Sequence, residues 1–314
     1  MSGEFMVLGA AGKMGLHVCL MLRRALDAMG DRRRVIAVSR FSKASAREEF
    51  EKFGIGTVPC DLCQPEQLER LENIDNIIFM AGAKFGTSDQ PWLLKQMNED
   101  MPALVAARFS DSQITAFSTG CVYSFQAVDS SGATESAQTN PVGAYAQSCL
   151  AREMAFRHVA QTLGTRVTLI RLNYAVEFRY GVPVDLATKI LSGEAVDITM
   201  GHVNLIWQRD AVAHSLLAHE LASTKPFIIN VTGSGTHRVS AIALRLGEIL
   251  RREPMIIGTE AHTAWLSDAS LSHRLFGLPE TPVEQILEWV AAWQKAELPT
   301  FNKPTGFEKR DGNF

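Results

Sequence analysis

Along the first half of the chain, short apolar runs rich in β-branched residues alternate with longer stretches whose apolar residues recur at helical spacing. "FMVLGA" at 5–10 precedes a helical stretch over 13–29, and "VIAVSR" at 35–40 precedes one over 43–53. "GTVPCD" at 56–61 precedes 64–72, and "NIIFMAG" at 76–82 precedes 91–109. "ITAFST" at 114–119, a helix over about 143–163 and "RVTLIRL" at 166–172 continue the rhythm. Strand and helix in alternation predict an α/β fold, a doubly wound parallel sheet covered on both faces by helices. Right-handed crossovers then put ligands at the carboxyl ends of the strands.

Past residue 172 the rhythm changes. Segments 173–202 and 233–300 read as helices joined by loops containing Gly and Pro, and an amphipathic helix at 283–295 carries Trp289 and Trp293, expected in a core rather than a ligand stack. The predicted division is a nucleotide-binding domain of residues 1–172 with about 203–232, and a smaller C-terminal substrate lobe of about 173–202 with 233–314. A lobe set over the strand ends would form a cleft. The tail "NKPTGFEKRDGNF" reads equally as an ordered loop or a frayed end.

Composition narrows the function. The 314 residues are 46% hydrophobic and 21% charged, with a net charge of −3, so a sizeable core is available and no basic run suits nucleic acid. The "RRR" at Arg32–Arg34 reads as a solvated helix end. Five cysteines, an odd number, argue against a disulfide framework and for a reducing, cytoplasmic compartment. Cys60 and Cys63 have CxxC spacing, but no second pair or histidine pair follows, so two ordinary thiols and no metal site are expected. The apolar N-terminus lacks a basic leader and is broken by glycines, and no apolar run is long enough to span a bilayer.

The first strand runs into "GAAGKMG", residues 9–15. In this turn Gly9 permits a tight exit from the strand, Gly12 lets backbone approach a pyrophosphate, and Gly15 allows helix to pack closely on strand. Ala11, Lys13 and Met14 complete it, and the helix that opens there offers N–H groups and a positive dipole end to phosphates. The second strand ends in Ser39 and Arg40, where a site selective for NAD usually carries an acid. A guanidinium pairs with a 2′-phosphate, so NADP(H) is favoured, with NAD(H) as the alternative.

"STGCVY" at 118–123 and "YAQSC" at 145–149 complete a pattern. With the glycine turn, "CDL" after the third strand, "MAGA" after the fourth, Asn98 in the next helix and "RLN" after the sixth, the chain resembles an extended short-chain dehydrogenase/reductase of the NAD-dependent epimerase/dehydratase family over nearly its full length. The resemblance implies a Rossmann fold and an oxidoreductase or epimerase acting on a carbonyl or secondary alcohol of a sugar or nucleotide sugar. It implies Tyr145 as general acid/base and Thr119 as a hydrogen-bond partner of the reacting oxygen. Asp61 and Leu62 would flank adenine, and Met80, Ala81 and Gly82 would line the cofactor ribose. Asn98 and Leu172 complete the cofactor set, and Tyr123, Arg179 and Asn204 are the substrate candidates. Dehydration is the least expected reaction, because Gly120 and Cys121 stand where dehydratases of the family carry an acidic pair. A homodimer through a four-helix bundle, built from helices 91–109 and 143–163 of each subunit, is also implied.

One position departs from the family. Where it carries a lysine four residues after the tyrosine, this chain has Cys149. A free tyrosine titrates near pH 10, so poising it near neutrality takes about 4 kcal/mol of preference for the phenolate, which a thiol does not supply. Three readings follow: the oxidised nicotinamide's own charge suffices, another cation substitutes, with Lys84 in "MAGAKFG" the candidate, or the protein binds nucleotide as a sensor or regulator without redox chemistry. Cys149 as a nucleophile, aided by Arg152 or His158, is weaker, since it lies a full turn inside its helix.

Overall fold

The computed structural model describes residues 2–84 and 90–312, which divide into two compact units. Unit 1 comprises Met1–Ser118, Gln147–Arg171 and Val212–Ile229; unit 2 comprises Thr119–Ala146, Leu172–Ala211 and Asn230–Phe314.

A seven-stranded sheet organises the first unit. Its strands are β1 (Phe5–Leu8), β2 (Val35–Ser39), β3 (Gly56–Pro59), β4 (Asn76–Phe79), β5 (Gln113–Thr119), β6 (Val167–Leu172) and β7 (Phe227–Val231). They lie in the order β7-β6-β5-β4-β1-β2-β3 and run parallel, Phe5 facing Val35 on one side and Asn76 on the other. Helices α1 (Gly15–Ala28), α2 (Ala44–Glu51), α3 (Met101–Arg108) and α4 (Gly143–Leu163) alternate with the first strands, α5 (Val182–Ser192) and α6 (Gln208–His219) fall between β6 and β7, and α7 (Val239–Leu250) and α8 (Val283–Lys295) follow. Every residue of β1 and β4 is buried, as expected where helices cover both faces of a parallel sheet. Edge strand β3 is partly exposed.

The expected doubly wound sheet is therefore present, with local differences. The stretch 64–72 forms α-helix only over Pro65–Leu68, and its chain then tightens into i→i−3 bonds, from Arg70 N–H to Gln67 O at 3.3 Å and from Leu71 N–H to Leu68 O at 3.1 Å. The stretch 91–109 is one helical run interrupted by a π-turn at Gln96–Asp100. Pro102 cannot donate to the Asn98 carbonyl four residues back, so the ladder is broken where the widened turn occurs.

Unit 2 has its own core, in which α5, α7 and α8 bring together Leu186, Ile190, Ile242, Leu246, Ile286 and Val290. Trp289 and Trp293 join an aromatic cluster there: Phe178 stacks on Trp293 at 4.9 Å, and Trp207 meets Trp289 edge-on at 5.2 Å. Among the described residues no helix is long and apolar enough to cross a membrane.

Candidate functional site

The glycine turn in unit 1 has the backbone its spacing requires. Gly9 sits at φ +83°, and a Cβ there would lie 2.7 Å from the backbone of Ala81, so a side chain would be both strained and crowded. A Cβ on Gly15 would lie 2.1 Å from the Ala10 carbonyl oxygen, which lets α1 start directly against β1. Gly12 differs: it is exposed, and the nearest atom to its would-be Cβ is the Gly9 oxygen at 3.2 Å. Ala11 is exposed beside it, and Lys13 and Met14 are half-buried. Met14 provides no side-chain cap, so the first-turn N–H groups of α1 receive no bond from their N-cap side chain.

The ends of β2 and β3 lie side by side, with the Cys60 N–H donating to the Ser39 carbonyl at 2.9 Å. Arg40 is exposed and close enough to Cys63 to favour its thiolate. Asp61, half-buried, accepts from the Cys63 N–H at 3.0 Å, and Leu62 is buried. Burial, then the Asp61 carboxylate, pushes both thiols above the ordinary range, so neither is an activated nucleophile. No disulfide joins any of the five cysteines. No cluster of metal-ligating side chains occurs among the described residues.

Beyond β4, Met80 is half-buried, Ala81 buried and Gly82 exposed. Asn98, in the π-turn and wholly buried, fixes Ala83 at both ends: its Oδ1 accepts from Ala83 N–H at 2.9 Å, and its Nδ2 donates to Ala83 O at 2.8 Å. Asn98 Nδ2 also donates to Ser148 Oγ of α4 at 2.9 Å. Lys84, half-buried, is the last residue before the undescribed segment 85–89.

Arg152, one turn beyond Cys149 on α4, has a place that the sequence did not suggest beyond a possible aid to that thiol. It is 8% exposed. Its Nη2 donates to Asn98 Oδ1 at 2.5 Å and its Nη1 to the Phe117 carbonyl at 3.1 Å. Its Nε has no partner among the described residues, and a Cβ on Gly82 would come within 2.2 Å of Nη2. Cys149 itself is wholly buried. The adjacent Glu153 is satisfied separately, by Arg171 Nε at 2.9 Å, Arg171 Nη2 at 2.8 Å and Ser118 Oγ at 2.7 Å. The i+7 spacing of Arg152 from Tyr145 puts both on one stripe of α4, but that spacing does not signal burial.

The other catalytic and substrate candidates belong to unit 2. Thr119, half-buried, ends β5, and its oxygen accepts from the Cys121 N–H at 3.2 Å. Tyr145 is half-buried in the first turn of α4. Tyr123 is 1% exposed and donates its hydroxyl to Asn230 Oδ1 at 2.9 Å, which sets it in the interior of the unit. Arg179 donates to Glu177 at 2.9 Å and lies over the Phe301 ring at 4.4 Å. Asn204 accepts from Ser267 N–H at 2.9 Å and donates to Gly235 O at 2.8 Å, on the wall of a cavity of about 370 Å³ also lined by Ser130, Asp268 and His273. Leu172, half-buried, ends β6.

A parallel sheet whose first strand turns through three glycines into a helix, with strand order reversing between β4 and β1, makes this a Rossmann-type α/β protein. Residues 5–231 match the NAD dependent epimerase/dehydratase family, and the chain belongs to that family. Among the solved structures that share the fold are the following three. UDP-glucuronic acid 4-epimerase from Bacillus cereus in complex with NAD is 16% identical, with a TM-score of 0.78 over 94% of this chain and 99% of that one. UDP-glucose 4-epimerase from Thermus thermophilus, also with NAD, is 17% identical, with a TM-score of 0.76 over 94% and 100%. MoeE5 in complex with UDP-glucose and NAD is 18% identical, with a TM-score of 0.75 over 94% and 99%. At such identities the likeness is one of fold. No curated protein matches the chain.

Proposed function

We propose that this protein is a nicotinamide-dependent epimerase or reductase acting on a carbonyl or secondary alcohol of a nucleotide-sugar-like substrate. The observation that carries the reading is the Gly9–Gly15 turn opening onto α1, whose N-cap Met14 offers no side-chain bond, in a chain of the epimerase/dehydratase family. The residues present fit a dinucleotide: the open face at Gly12 and the α1 N–H groups suit a pyrophosphate, while Asp61 and Leu62 suit adenine. Met80, Ala81 and Gly82 suit a ribose, with Asn98 and Leu172 supporting. Arg40 favours a 2′-phosphate and hence NADP(H), although the three solved structures above carry NAD. A bound nicotinamide would exchange a hydride with the substrate carbon.

Tyr145 would give a proton to the oxygen on that carbon, or take one from it. Thr119, whose oxygen accepts from Cys121 N–H, would keep its own hydroxyl proton to donate to the same oxygen. Arg179 and Asn204 are the substrate contacts this reading favours, with Tyr123 supporting them from the interior. Lys84 is one candidate for the missing cation. Exposed apolar side chains at Leu104 of α3 and Met154 of α4 support a homodimer through these helices, which light scattering would report as twice the chain mass. A cytoplasmic location is proposed on the five unbridged thiols, and a fluorescent fusion checks it.

The deciding experiment is fluorescence titration with NADPH and NADH. Selective NADPH binding, lost in Arg40→Asp while NADH binding is spared, is the expected outcome; equal loss of both removes Arg40 from the 2′-phosphate, and no binding removes the enzyme reading. Cys149 favours a second reading, a nucleotide sensor. Tight binding with no turnover on a UDP-sugar panel, in wild type and in Cys149→Lys alike, would support that instead.

A further inference from the structure

We infer that the Arg152 guanidinium supplies, beside the nicotinamide half of the dinucleotide site, the positive charge that position 149 lacks. The inference rests on the dinucleotide reading above and extends it to a residue outside the cofactor set.

The first argument is charge balance. Both acceptors of Arg152, the Phe117 carbonyl and the Asn98 amide oxygen, are neutral, and no carboxylate pairs with it among the described residues. The nearest acid along the chain, Glu153, is held by Arg171 and Ser118. Buried cations are ordinarily paired, because removing charge from water is costly. Among the described residues Arg152 therefore has no compensating charge at 8% exposure, where water screens it weakly, and its Nε has no acceptor.

The second argument is position. In a doubly wound sheet the pyrophosphate lies on the first helix at the strand-order reversal and the adenosine half lies over β2, so the other half extends over β4 and β5. Arg152 reaches those two strands, binding the carbonyl of Phe117 in β5 and lying directly against Gly82 after β4. Gly82 is exposed and has no side chain, so the guanidinium lies directly against the backbone of an exposed loop residue. Cys149 and Arg152 stand three residues apart on α4, in neighbouring rows of one helix face. Arg152 is thus a positioning residue: through Asn98 it fixes the Gly82–Ala83 loop, and its charge acts on the bound ring without a direct contact.

The test uses the full chain and the dissociation constants of NADP⁺, NADPH, NAD⁺ and NADH. A cation near the ring opposes the positively charged oxidised form and spares the reduced one. Arg152→Met should therefore lower the ratio of oxidised to reduced dissociation constants about five-fold, as expected for one charge at about 10 Å in an effective dielectric of about 35. Arg152→Lys should hold the wild-type ratio. Should Arg152→Met fail to fold, Arg152→Gln, which keeps hydrogen-bonding capacity without the charge, reads the same quantity. A purely structural role would weaken both forms equally, so an unchanged ratio in a neutral variant overturns the inference while leaving the dinucleotide reading intact. If wild type binds none of the four, that reading fails first and the inference falls with it.

Discussion

Arg171 and Arg152 are both buried in unit 1, at 1% and 8% exposure, yet of the two only Arg171 meets a carboxylate among the described residues. Around Glu153 the polar atoms are matched: two guanidinium nitrogens and a serine hydroxyl converge on one carboxylate, and Arg157 adds a longer contact at 3.5 Å. Around Arg152 they are not. Among the described residues its partners are neutral and its Nε has none, and its neighbour Gly82 has been pared to backbone. These two regions belong to successive residues of one helix, so the difference does not come from local structure. A matched network ties α4 to β5 and β6 and is explained by the fold alone, whereas a charge beside a strand-end loop that no described residue matches leaves room for a ligand.

The largest effect that would sharpen this contrast comes from the matched side. Glu153→Gln leaves the Arg171 guanidinium buried without its anion, and a loss of about 3–5 kcal/mol in unfolding free energy is expected. The double variant Glu153→Leu with Arg171→Met removes both charges and should recover most of that loss. Urea unfolding of the three proteins measures it. If Glu153→Gln costs less than about 1 kcal/mol, the pair is not the matched network described here.

Much of this was legible in the sequence, for reasons that can be named. The glycines at 9, 12 and 15 signal a backbone conformation that other residues resist, and Gly9 and Gly15 do stand where a Cβ would collide. The apolar period of 283–295 gives α8 with the same limits, because an amphipathic helix is specified residue by residue along itself. The burial of Arg152 was not legible, since an arginine on a helix normally reads as solvated, and the groups it lies against, Asn98, Phe117 and Gly82, are distant in the chain. The π-turn that carries Asn98 into position was equally hidden: Pro102 hints at a defect in the helix without specifying its form. The short helix at Pro65–Leu68 reflects the same limit, as tightening of a last turn depends on what the chain must reach next.

His219 offers a second, somewhat smaller test, because unit 1 treats it in a third way, as a buried ionisable group kept neutral. Its ring is wholly buried, 2.7 Å from Thr115 Oγ1 and 3.0 Å from Asn76 Oδ1. Asn76 Nδ2 donates to the Ser2 and Glu4 carbonyls, which leaves Oδ1 facing the ring as an acceptor. Nε2 therefore carries the proton, and Nδ1 accepts from Thr115. Burial, reinforced by the Arg166 charge, lowers its pKa to about 4. The folded pKa lies below the unfolded one, so the unfolded chain takes up the proton first as pH falls. Stability from His219 is full above about pH 6.5 and is lost toward pH 4, by about 3 kcal/mol in all. Asp185 in unit 2 has the opposite sign: burial raises its pKa to about 6 against the hydrogen bonds from Thr305, so its contribution grows as pH falls. Comparing wild type with His219→Gln cancels Asp185, and the stability gap between them should narrow by most of that amount from pH 7 to pH 4.5. A gap independent of pH would mean that the imidazole is not held neutral.

The smallest expected effect falls on Arg152, and its smallness is the point of the comparison. Removing a cation that pairs with a carboxylate leaves a buried anion behind; removing one whose described partners are neutral leaves only neutral acceptors, of which Asn98 Oδ1 still receives the Ala83 N–H. Arg152→Met also takes away the desolvation cost of an unmatched charge, which works in the opposite direction, and a methionine stem fills much of the same volume. The unfolding free energy should then change by less than about 1 kcal/mol, against several for Glu153→Gln one residue along. Urea unfolding of unliganded Arg152→Met, beside the dinucleotide ratios of the same variant, separates the two accounts. A fold indifferent to Arg152 and a cofactor ratio that shifts would mean that the charge is kept for a ligand; a loss as large as that of Glu153→Gln would mean that Arg152 holds the fold together as Arg171 does.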